Sequence, residues 1–299
     1  MRDTFSKSLV DLVSENSNVY VLSGDHGYAL FDALRTKMPD HFINAGVAEQ
    51  NMVGVAAGLS KLGLYPIIYG LSAFVPIRVL EQIKIDFCYE GLPGLFIGDG
   101  AGIVYSHLGT SHQSTEDIAA LRAIPEISIL SPCDKYELKA CFDWAVQQKS
   151  TVYLRMGKAD LADVHEKLLL NLSSEPLSVV QNNNSVVIFA TGSMVSVCLK
   201  LIKDGKVKAD LYSVPVIKSK EKNNIKIILK KYSRAITVEE HSIHGGLGDM
   251  ISAIAAEDAK IQVRKIGIED RFSQACGTYQ FLMKEHGLDI DSVEHKING

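Results

Sequence analysis

Short runs of apolar residues alternate along the first half of the chain with segments whose apolar positions recur at helical spacing. Residues 2–14 place Phe5, Leu9, Leu12 and Val13 on one helical face. The apolar runs predict strands over 19–23, 41–45, 65–70, 92–98, 127–130 and 151–155, and further helices are predicted over 49–62, 76–88, 114–122 and 134–147. Strands that lack polar alternation and are separated by helices are typical of a parallel sheet covered on both faces.

The second half repeats this alternation after a segment of mixed polarity. Residues 157–184, which end in Gln181-Asn182-Asn183-Asn184, are interpreted as a connecting segment. Strands are then predicted over 185–190, 208–214 and 234–239, with a helix opening at 191–193 and another over 246–256. A length of 299 residues also favours two domains. The sequence therefore predicts an α/β protein of two doubly wound domains with mainly parallel sheets, 1–165 and 180–299.

Composition narrows the classes of partner and compartment. The formal net charge of -4 gives no support for a nucleic-acid or anionic-membrane partner, and no apolar run reaches membrane-spanning length. The N-terminus lacks the apolar segment of a signal peptide. The odd number of cysteines and the absence of a Cys-x-x-Cys pair favour reduced thiols in the cytoplasm over a disulfide framework or a zinc site. These cysteines are Cys88, Cys133, Cys141, Cys198 and Cys276.

Glu49 is the first candidate for chemistry. An apolar strand ends in Gly46-Val47-Ala48, Glu49 follows, and the chain becomes helical through the small-residue run 52–59. A carboxylate that is backed by apolar surface at a strand-to-helix turn is suited to exchanging a proton with a bound group. An acid near a helix start is also common for a structural reason, since the helix dipole favours it there.

Several motifs together resemble the transketolase family of thiamine diphosphate enzymes. Gly46-Val47-Ala48-Glu49-Gln50-Asn51, followed by Ala56-Ala57-Gly58-Leu59, resembles the family's pyrimidine-binding domain. So do the stretch from Ser111-His112-Gln113 to Pro125 and the turn Ser131-Pro132-Cys133-Asp134. Thr237-Val238-Glu239-Glu240-His241 and Gly245-Gly246-Leu247-Gly248-Asp249 are similar to its C-terminal domain. The matches run in family order from about residue 2 to about residue 275, which implies these two domains.

The resemblance assigns cofactor-binding roles to four residues. It implies that Glu49 contacts the ring nitrogen of the cofactor's aminopyrimidine and drives removal of the thiazolium proton. Phe74 corresponds to an aromatic residue that packs on the aminopyrimidine, and the flanking match favours this role over that of an ordinary core residue. Asp25 corresponds to an acidic residue at the cofactor-facing end of the first strand, and Arg78 is also placed among the cofactor-binding residues.

Substrate-binding residues are implied in the same way. His112 corresponds to a substrate-channel histidine that bonds sugar hydroxyls or phosphate and is a second catalytic candidate. Arg2 and Arg155 correspond to two arginines that clamp a substrate phosphate, for which guanidinium groups are suited. Spacing alone would make both arginines plain surface charges.

The chain departs from transketolase where the donor sugar is recognised. The family carries an acidic residue a few positions before the loop histidine, whereas residues 105–111 contain no acid. His107 is a candidate substitute, but its ring is not a carboxylate. A further family histidine near Asp99 is replaced by Gly100 or its neighbours. The sugars that are accepted are therefore expected to differ from those of ordinary transketolase.

The sequence Gly98-Asp99-Gly100 imitates a metal-binding motif of thiamine diphosphate enzymes. That motif needs a downstream Asn, and no Asn occurs between Asp99 and Leu170. Mg²⁺ requires several oxygen ligands, so no metal ligand is predicted in this chain. Residues 99–104 instead resemble a loop of deoxyxylulose-phosphate synthases.

The chain is thus expected to be the small subunit of a split transketolase. A larger N-terminal subunit would hold the diphosphate and Mg²⁺, and self-association of this chain would give an α2β2 enzyme acting on sugars or sugar phosphates.

Three alternatives remain open from the sequence. The first is the beta subunit of a 2-oxo-acid dehydrogenase, which shares Glu49 and the C-terminal signature, although residues 112–125 favour transketolase. The second is a transketolase-like enzyme that acts on modified or nucleotide-linked sugars. The third is a non-catalytic assembly subunit, against which the intact Glu49 and Phe74 argue.

Overall fold

The computed structural model describes residues 1–27, 29–157, 160–169, 171–221, 223–259 and 261–299. Within them the chain forms two α/β units, each built on its own sheet. The strands are β1 (Val19–Ser23), β2 (Phe42–Asn44), β3 (Tyr65–Leu71), β4 (Gly94–Asp99), β5 (Ile127–Leu130), β6 (Thr151–Met156), β7 (Leu177–Val180), β8 (Val186–Ala190), β9 (Asp210–Ser213), β10 (Val216–Lys218), β11 (Arg234–Ser242) and β12 (Gln262–Ile268). The helices are α1 (Arg2–Glu15), α2 (Asp32–Lys37), α3 (Glu49–Lys61), α4 (Leu80–Gln82), α5 (Asp117–Arg122), α6 (Lys135–Ala145), α7 (Met194–Lys203), α8 (Ile225–Leu229), α9 (Leu247–Ile254), α10 (Tyr279–Glu285) and α11 (Ile290–Asn298).

The first sheet has the strand order β10-β5-β6-β4-β3-β1-β2. Its neighbouring strands are parallel except for β10 and β5, which are antiparallel. Every residue of β4, β5 and β6 is buried, because helices cover both faces of the sheet. Helix α1 buries Phe5, Leu9 and Val13 against one face, as its predicted apolar stripe requires.

The second sheet has the order β12-β11-β8-β9-β7, with β7 antiparallel at one edge. The α/β fold with mainly parallel sheets is thus confirmed. The interpretation of 157–184 as purely connecting was wrong, because β7 lies within it. β7 is only four residues long and partly exposed at a sheet edge. Its sequence, Leu177-Ser178-Val179-Val180, has the same apolar pattern as β5, so a strand signal was present within this segment of mixed polarity.

Two further differences concern element boundaries. The helix predicted over 76–88 is a 3₁₀ turn (Ile77–Val79), then α4, then a π-helical segment (Ile83–Tyr89). The short β10 was not predicted, because it leaves the second unit and pairs with the edge of the first sheet, a long-range contact without local signature.

No helix among the described residues is both long and apolar enough to cross a membrane.

Candidate active site

The carboxyl ends of the parallel strands of the first sheet meet at one edge, where ligands of α/β folds commonly bind. Glu49 is the first residue of α3, directly after β2. Phe74 and Arg78 follow β3, His26 follows β1, and His112 lies in a 3₁₀ turn after β4. The topology therefore brings together residues that are far apart in the sequence.

Glu49 is buried because it belongs to the core-facing stripe of α3. Its side chain is 4% exposed, and the same helix face buries Met52, Val53 and Ala56. Arg78 Nη1 donates a hydrogen bond to Glu49 Oε1 at 2.8 Å. The Glu49 side chain therefore lies on the core-facing side of α3, and its carboxylate is bonded to Arg78.

Aromatic rings lie around the partners of this carboxylate. The Arg78 guanidinium carbon lies 4.1 Å from the centre of the Phe74 ring. The same guanidinium group therefore contacts both Glu49 and Phe74. The His112 ring centre is 5.3 Å from that of Phe74, and the His26 ring centre is 6.1 Å away. We call Glu49, Phe74, Arg78, His112 and His26 the Glu49 cluster.

His26 is the member of the Glu49 cluster that the sequence interpretation missed. Its Nε2 atom lies 3.9 Å from Glu49 Oε1. This nitrogen is buried and has no hydrogen-bond partner among the described residues, so it is available to a ligand. The signal that could have found it is adjacency to Asp25, a predicted cofactor-binding residue at the same strand end. Asp25 itself is exposed.

Arg2 belongs to a neighbouring group at the end of β4. The buried carboxylate of Asp99 accepts a hydrogen bond from the Tyr69 hydroxyl at 2.6 Å and lies 3.9 Å from Arg2 Nη2. Burial and then the adjacent Asp99 raise the pKa of Tyr105 to about 12. Gly100 has φ +72°, and a Cβ there would overlap the Tyr105 ring. Asp99, the last residue of β4, thus has protein partners on its Oδ2.

Arg155, the other predicted phosphate ligand, is 3% exposed. Its Nε donates to Asp117 Oδ2 at 2.8 Å, and its Nη2 donates to the carbonyl oxygens of Ser114 (3.3 Å) and Glu240 (3.0 Å). These contacts join the two units, so the described structure gives Arg155 a structural set of partners. Of the two predicted arginines, Arg2 is the one with an exposed guanidinium. His107 is also exposed, in the turn Ser106–Leu108.

The C-terminal signature is buried and holds the second unit together. Glu239 accepts hydrogen bonds from the backbone nitrogens of Leu247 (2.6 Å) and Gly248 (2.9 Å), which caps the start of α9, and it also pairs with His241. The next residue, Glu240, forms hydrogen bonds across the junction between the units.

Glu240 receives bonds from both units. Its Oε1 accepts from the Ile103 backbone nitrogen at 3.0 Å, while its Oε2 accepts from the hydroxyls of Tyr279 at 2.6 Å and Ser193. A buried carboxylate that is bonded in this way fixes the orientation of one unit against the other.

Each of the two units matches a known protein family domain. Residues 1–163 match the family described as transketolase, pyrimidine binding domain, and residues 177–293 match transketolase, C-terminal domain. The chain belongs to the transketolase family. The resemblance seen in the sequence is therefore confirmed, and the family's dependence on thiamine diphosphate applies to it.

Its relatives include single subunits of comparable length. A Methanocaldococcus jannaschii protein whose name describes a transketolase C-terminal section is 32% identical over 99% of this chain and 95% of that protein. A subunit of the apulose-4-phosphate transketolase of Phocaeicola vulgatus is 28% identical over 98% of this chain and 94% of that protein.

A solved structure gives the same picture. The chain superposes with a TM-score of 0.85 and 27% identity on a split-gene transketolase described as an inactive beta4 tetramer, covering 99% of this chain and 96% of that one. The chain is accordingly a transketolase-like transferase subunit of a split enzyme, as predicted.

Proposed function

We propose that this chain supplies the cofactor-activating half of an enzyme that transfers a two-carbon ketol unit between sugars. The observation that carries the proposal is the Glu49 cluster at the carboxyl edge of the sheet. A buried carboxylate is bonded to Arg78, whose guanidinium lies over the Phe74 ring, and faces a His26 nitrogen that has no hydrogen-bond partner in the described part of the chain. An assembly subunit without catalytic function would have no need for this combination.

The cluster fits the aminopyrimidine end of thiamine diphosphate. Glu49 is placed to hold a proton at its carboxylate and exchange it with a ring nitrogen, and Phe74 to orient the ring by packing. Arg78 holds the Glu49 carboxyl group in place by its 2.8 Å hydrogen bond. When bound, the cofactor supplies the electron sink that carries the two-carbon unit. Asp25 is proposed to lie at the cofactor-facing rim.

The substrate side is assigned to one member of this cluster, the half-buried His112, and to exposed polar groups near it. His112, whose Nδ1 lies 3.0 Å from Ser111 Oγ, is proposed to bond the sugar, and His107 to take part in the same loop. Arg2 is proposed to contact a substrate phosphate through its exposed guanidinium. Arg155 is left out of this role because its guanidinium is already bonded within the protein.

The diphosphate end of the cofactor does not fit this chain, since Asp99 is bonded to Tyr69. We therefore propose that a larger N-terminal subunit holds the diphosphate and Mg²⁺ and that the enzyme is an α2β2 assembly. Val55 on α3 and Val47 just before it are exposed, and a Cβ added at Gly54 or Gly58 would meet open space, so we propose this face of α3 as a surface against which another subunit packs. Five free cysteines agree with a cytoplasmic location.

Reconstitution tests the proposal. The partner is expected to be encoded by a neighbouring reading frame with Gly-Asp-Gly and a downstream Asn. Calorimetry with thiamine diphosphate and Mg²⁺ should show weak binding by this chain alone and tight binding by the mixture. Ketol transfer should appear only in the mixture, with the partner alone as the control. Tight cofactor binding by the isolated chain would contradict the split-site assignment.

A further inference from the structure

A second group of chemically reactive side chains lies outside the Glu49 cluster, at the start of α6. The Cys133 sulfur, a Glu137 carboxylate oxygen and a His165 ring nitrogen all lie within 4.8 Å of one another. Cys133 and Glu137 are buried, and His165 is half-buried. No local sequence pattern indicates this group, because His165 lies some thirty residues beyond Cys133 and no Cys-x-x-Cys pair is present.

Asp134 fixes the orientation of the histidine. Its Oδ1 caps α6 by accepting from the backbone nitrogens of Tyr136 and Glu137, both at 2.9 Å. Its Oδ2 accepts from the His165 backbone nitrogen at 2.8 Å and from His165 Nδ1 at 3.0 Å. The opposite ring nitrogen, Nε2, is thereby directed at Glu137 Oε1, 3.8 Å away. A carboxylate that holds one nitrogen while the other binds a cation is the usual support of a metal-binding histidine.

Glu137 provides an independent indication of a ligand. Its side chain is completely buried, and its Oε2 accepts a hydrogen bond from the Cys133 backbone nitrogen at 2.8 Å. Its Oε1 makes no hydrogen bond of normal geometry within the described parts of the chain, although the hydroxyl of Ser213 lies beside the carboxyl group and His165 Nε2 is 3.8 Å away. A buried carboxylate oxygen that lacks a donor is unfavourable, and a bound cation would compensate for it.

We propose that Cys133, Glu137 and His165 bind a structural Zn²⁺ ion. Sulfur, imidazole nitrogen and carboxylate oxygen are all zinc ligands. Zinc bonds of about 2.0–2.3 Å in a tetrahedron place neighbouring ligand atoms about 3.3–3.6 Å apart. The observed 3.8 Å between His165 Nε2 and Glu137 Oε1 requires only a small inward movement. The hydroxyl of Ser213, which lies beside Glu137 and Cys133, or a water molecule would take the fourth position.

The position of this site indicates what the ion would do. Cys133 packs in the apolar core of the second unit, with Ile188 and Met194 among its cluster. Glu137 belongs to α6 of the first unit, and His165 lies in the segment that connects the units. Cys133 and Glu137 are both contributed by the first unit, so an ion held by these three side chains would tie that unit to the connecting segment, next to the core of the second unit. This inference does not rest on the proposed function.

Metal titration of the untagged full chain, prepared metal-free under reducing and anaerobic conditions, tests the proposal. Elemental analysis after gel filtration should find one Zn²⁺ per chain, and Co²⁺ should give thiolate-to-cobalt charge-transfer absorption. Cys133→Ala should abolish that absorption, and His165→Gln should weaken Zn²⁺ binding at least about tenfold. Cys198→Ala is the matched control, because Cys198 is equally buried but lies in α7.

Zn²⁺ should also raise the thermal unfolding midpoint of the wild-type chain and of Cys198→Ala but not of Cys133→Ala. Circular dichroism would establish that each variant is folded. Failure of the folded wild-type chain to retain Zn²⁺ would overturn the proposal, since His165 and Glu137 would then form an ion pair only. Undiminished binding by folded Cys133→Ala would overturn the assigned ligand set.

Discussion

At the scale of single residues, Glu49 shows how position gives an ordinary side chain its chemistry. The first turn of a helix is a favourable place for any carboxylate. Here the side chain also lies on the buried face of α3, with Arg78 on one oxygen and His26 facing it. Burial and directed partners, rather than the helix start alone, make this carboxylate a candidate for proton exchange.

Replacing Glu49 tests this role. We expect Glu49→Gln in the reconstituted enzyme to lower kcat about a hundredfold or more, because the amide cannot exchange the proton. The dissociation constant of thiamine diphosphate should change much less, since the packing of Phe74 remains. Steady-state kinetics and calorimetry measure the two quantities. Glu15→Gln, at an exposed position, is the control, and near-normal turnover of Glu49→Gln would leave Glu49 with a helix-start role only.

Glycine positions offer a second test at this scale. Gly102 and Gly205 have nearly the same φ, +72° and +71°, but only at Gly102 would a Cβ overlap the buried Glu240. Gly205→Ala should lower the free energy of unfolding by about 1–2 kcal/mol from backbone strain. Gly102→Ala should lower it by about 1–3 kcal/mol more, because of the overlap. Urea denaturation of both variants measures the difference, and equal losses would show that the Glu240 junction can adjust.

At the scale of elements, the start of α9 depends on a residue from the preceding strand. Glycine residues before α9 provide no side-chain cap, and Glu239 of β11 accepts the first free backbone N–H groups instead. The Glu-Glu-His sequence and the Gly-Gly-Leu-Gly sequence are therefore two halves of one structural contact. A glycine is needed at position 246, because a Cβ there would overlap Glu239 and His241.

Glu239→Gln should weaken this contact. An amide retains the shape of the side chain, but its nitrogen cannot accept a hydrogen bond, so one of the two backbone N–H groups loses its acceptor and the other loses a charged one. We therefore expect the free energy of unfolding to fall by about 1–3 kcal/mol. Urea denaturation measures the change, with the exposed Glu269→Gln as the control. Equal stability of the two variants would contradict a capping role for Glu239.

At the scale of the whole molecule, the residues that hold the two units together and the residues proposed for chemistry lie in different places. Arg155 and Glu240 are bonded within the junction between the units, whereas the Glu49 cluster opens at the strand ends of the first sheet. We expect this cluster to contact the aminopyrimidine and the diphosphate to be held by another chain. The complete site is thus expected only in the assembly with the N-terminal subunit.

Substrate choice is a property of that assembly. Residues 105–111 lack the acid expected to read the donor hydroxyl, and one relative is named for apulose 4-phosphate. A lost hydrogen-bonding partner changes discrimination by about 1–3 kcal/mol, roughly tenfold to a hundredfold in kcat/KM. We expect a panel of donors, including modified and nucleotide-linked keto-sugars, to contain one that is preferred over xylulose 5-phosphate by this factor.

Assays with xylulose 5-phosphate as donor and ribose 5-phosphate as acceptor set the reference for this panel. Conversion of this pair as efficiently as by an ordinary transketolase would contradict altered specificity. His107→Ala distinguishes the remaining explanations: it should then lower kcat/KM if His107 replaces the missing acid, and should leave it unchanged if a partner residue does so.

Local patterns were sufficient for the main architecture and for much of the site. The apolar runs that become β4, β5 and β6 and the apolar stripe of α1 are visible in the sequence, because buried strands and helix faces require them. Family motifs point to Glu49, Phe74, Arg78 and His112, and the structure brings them together.

Tertiary structure decided the features that depend on contacts between distant segments. The sequence could not predict that β10 joins the first sheet, that His26 faces Glu49, or that Arg155 is bonded inside the junction. The meeting of Cys133, Glu137 and His165 is of the same kind. A sequence pattern reports whether a side chain prefers burial in its local element, but which groups meet is fixed by the packing of elements. The chemistry of a buried polar group depends on those partners.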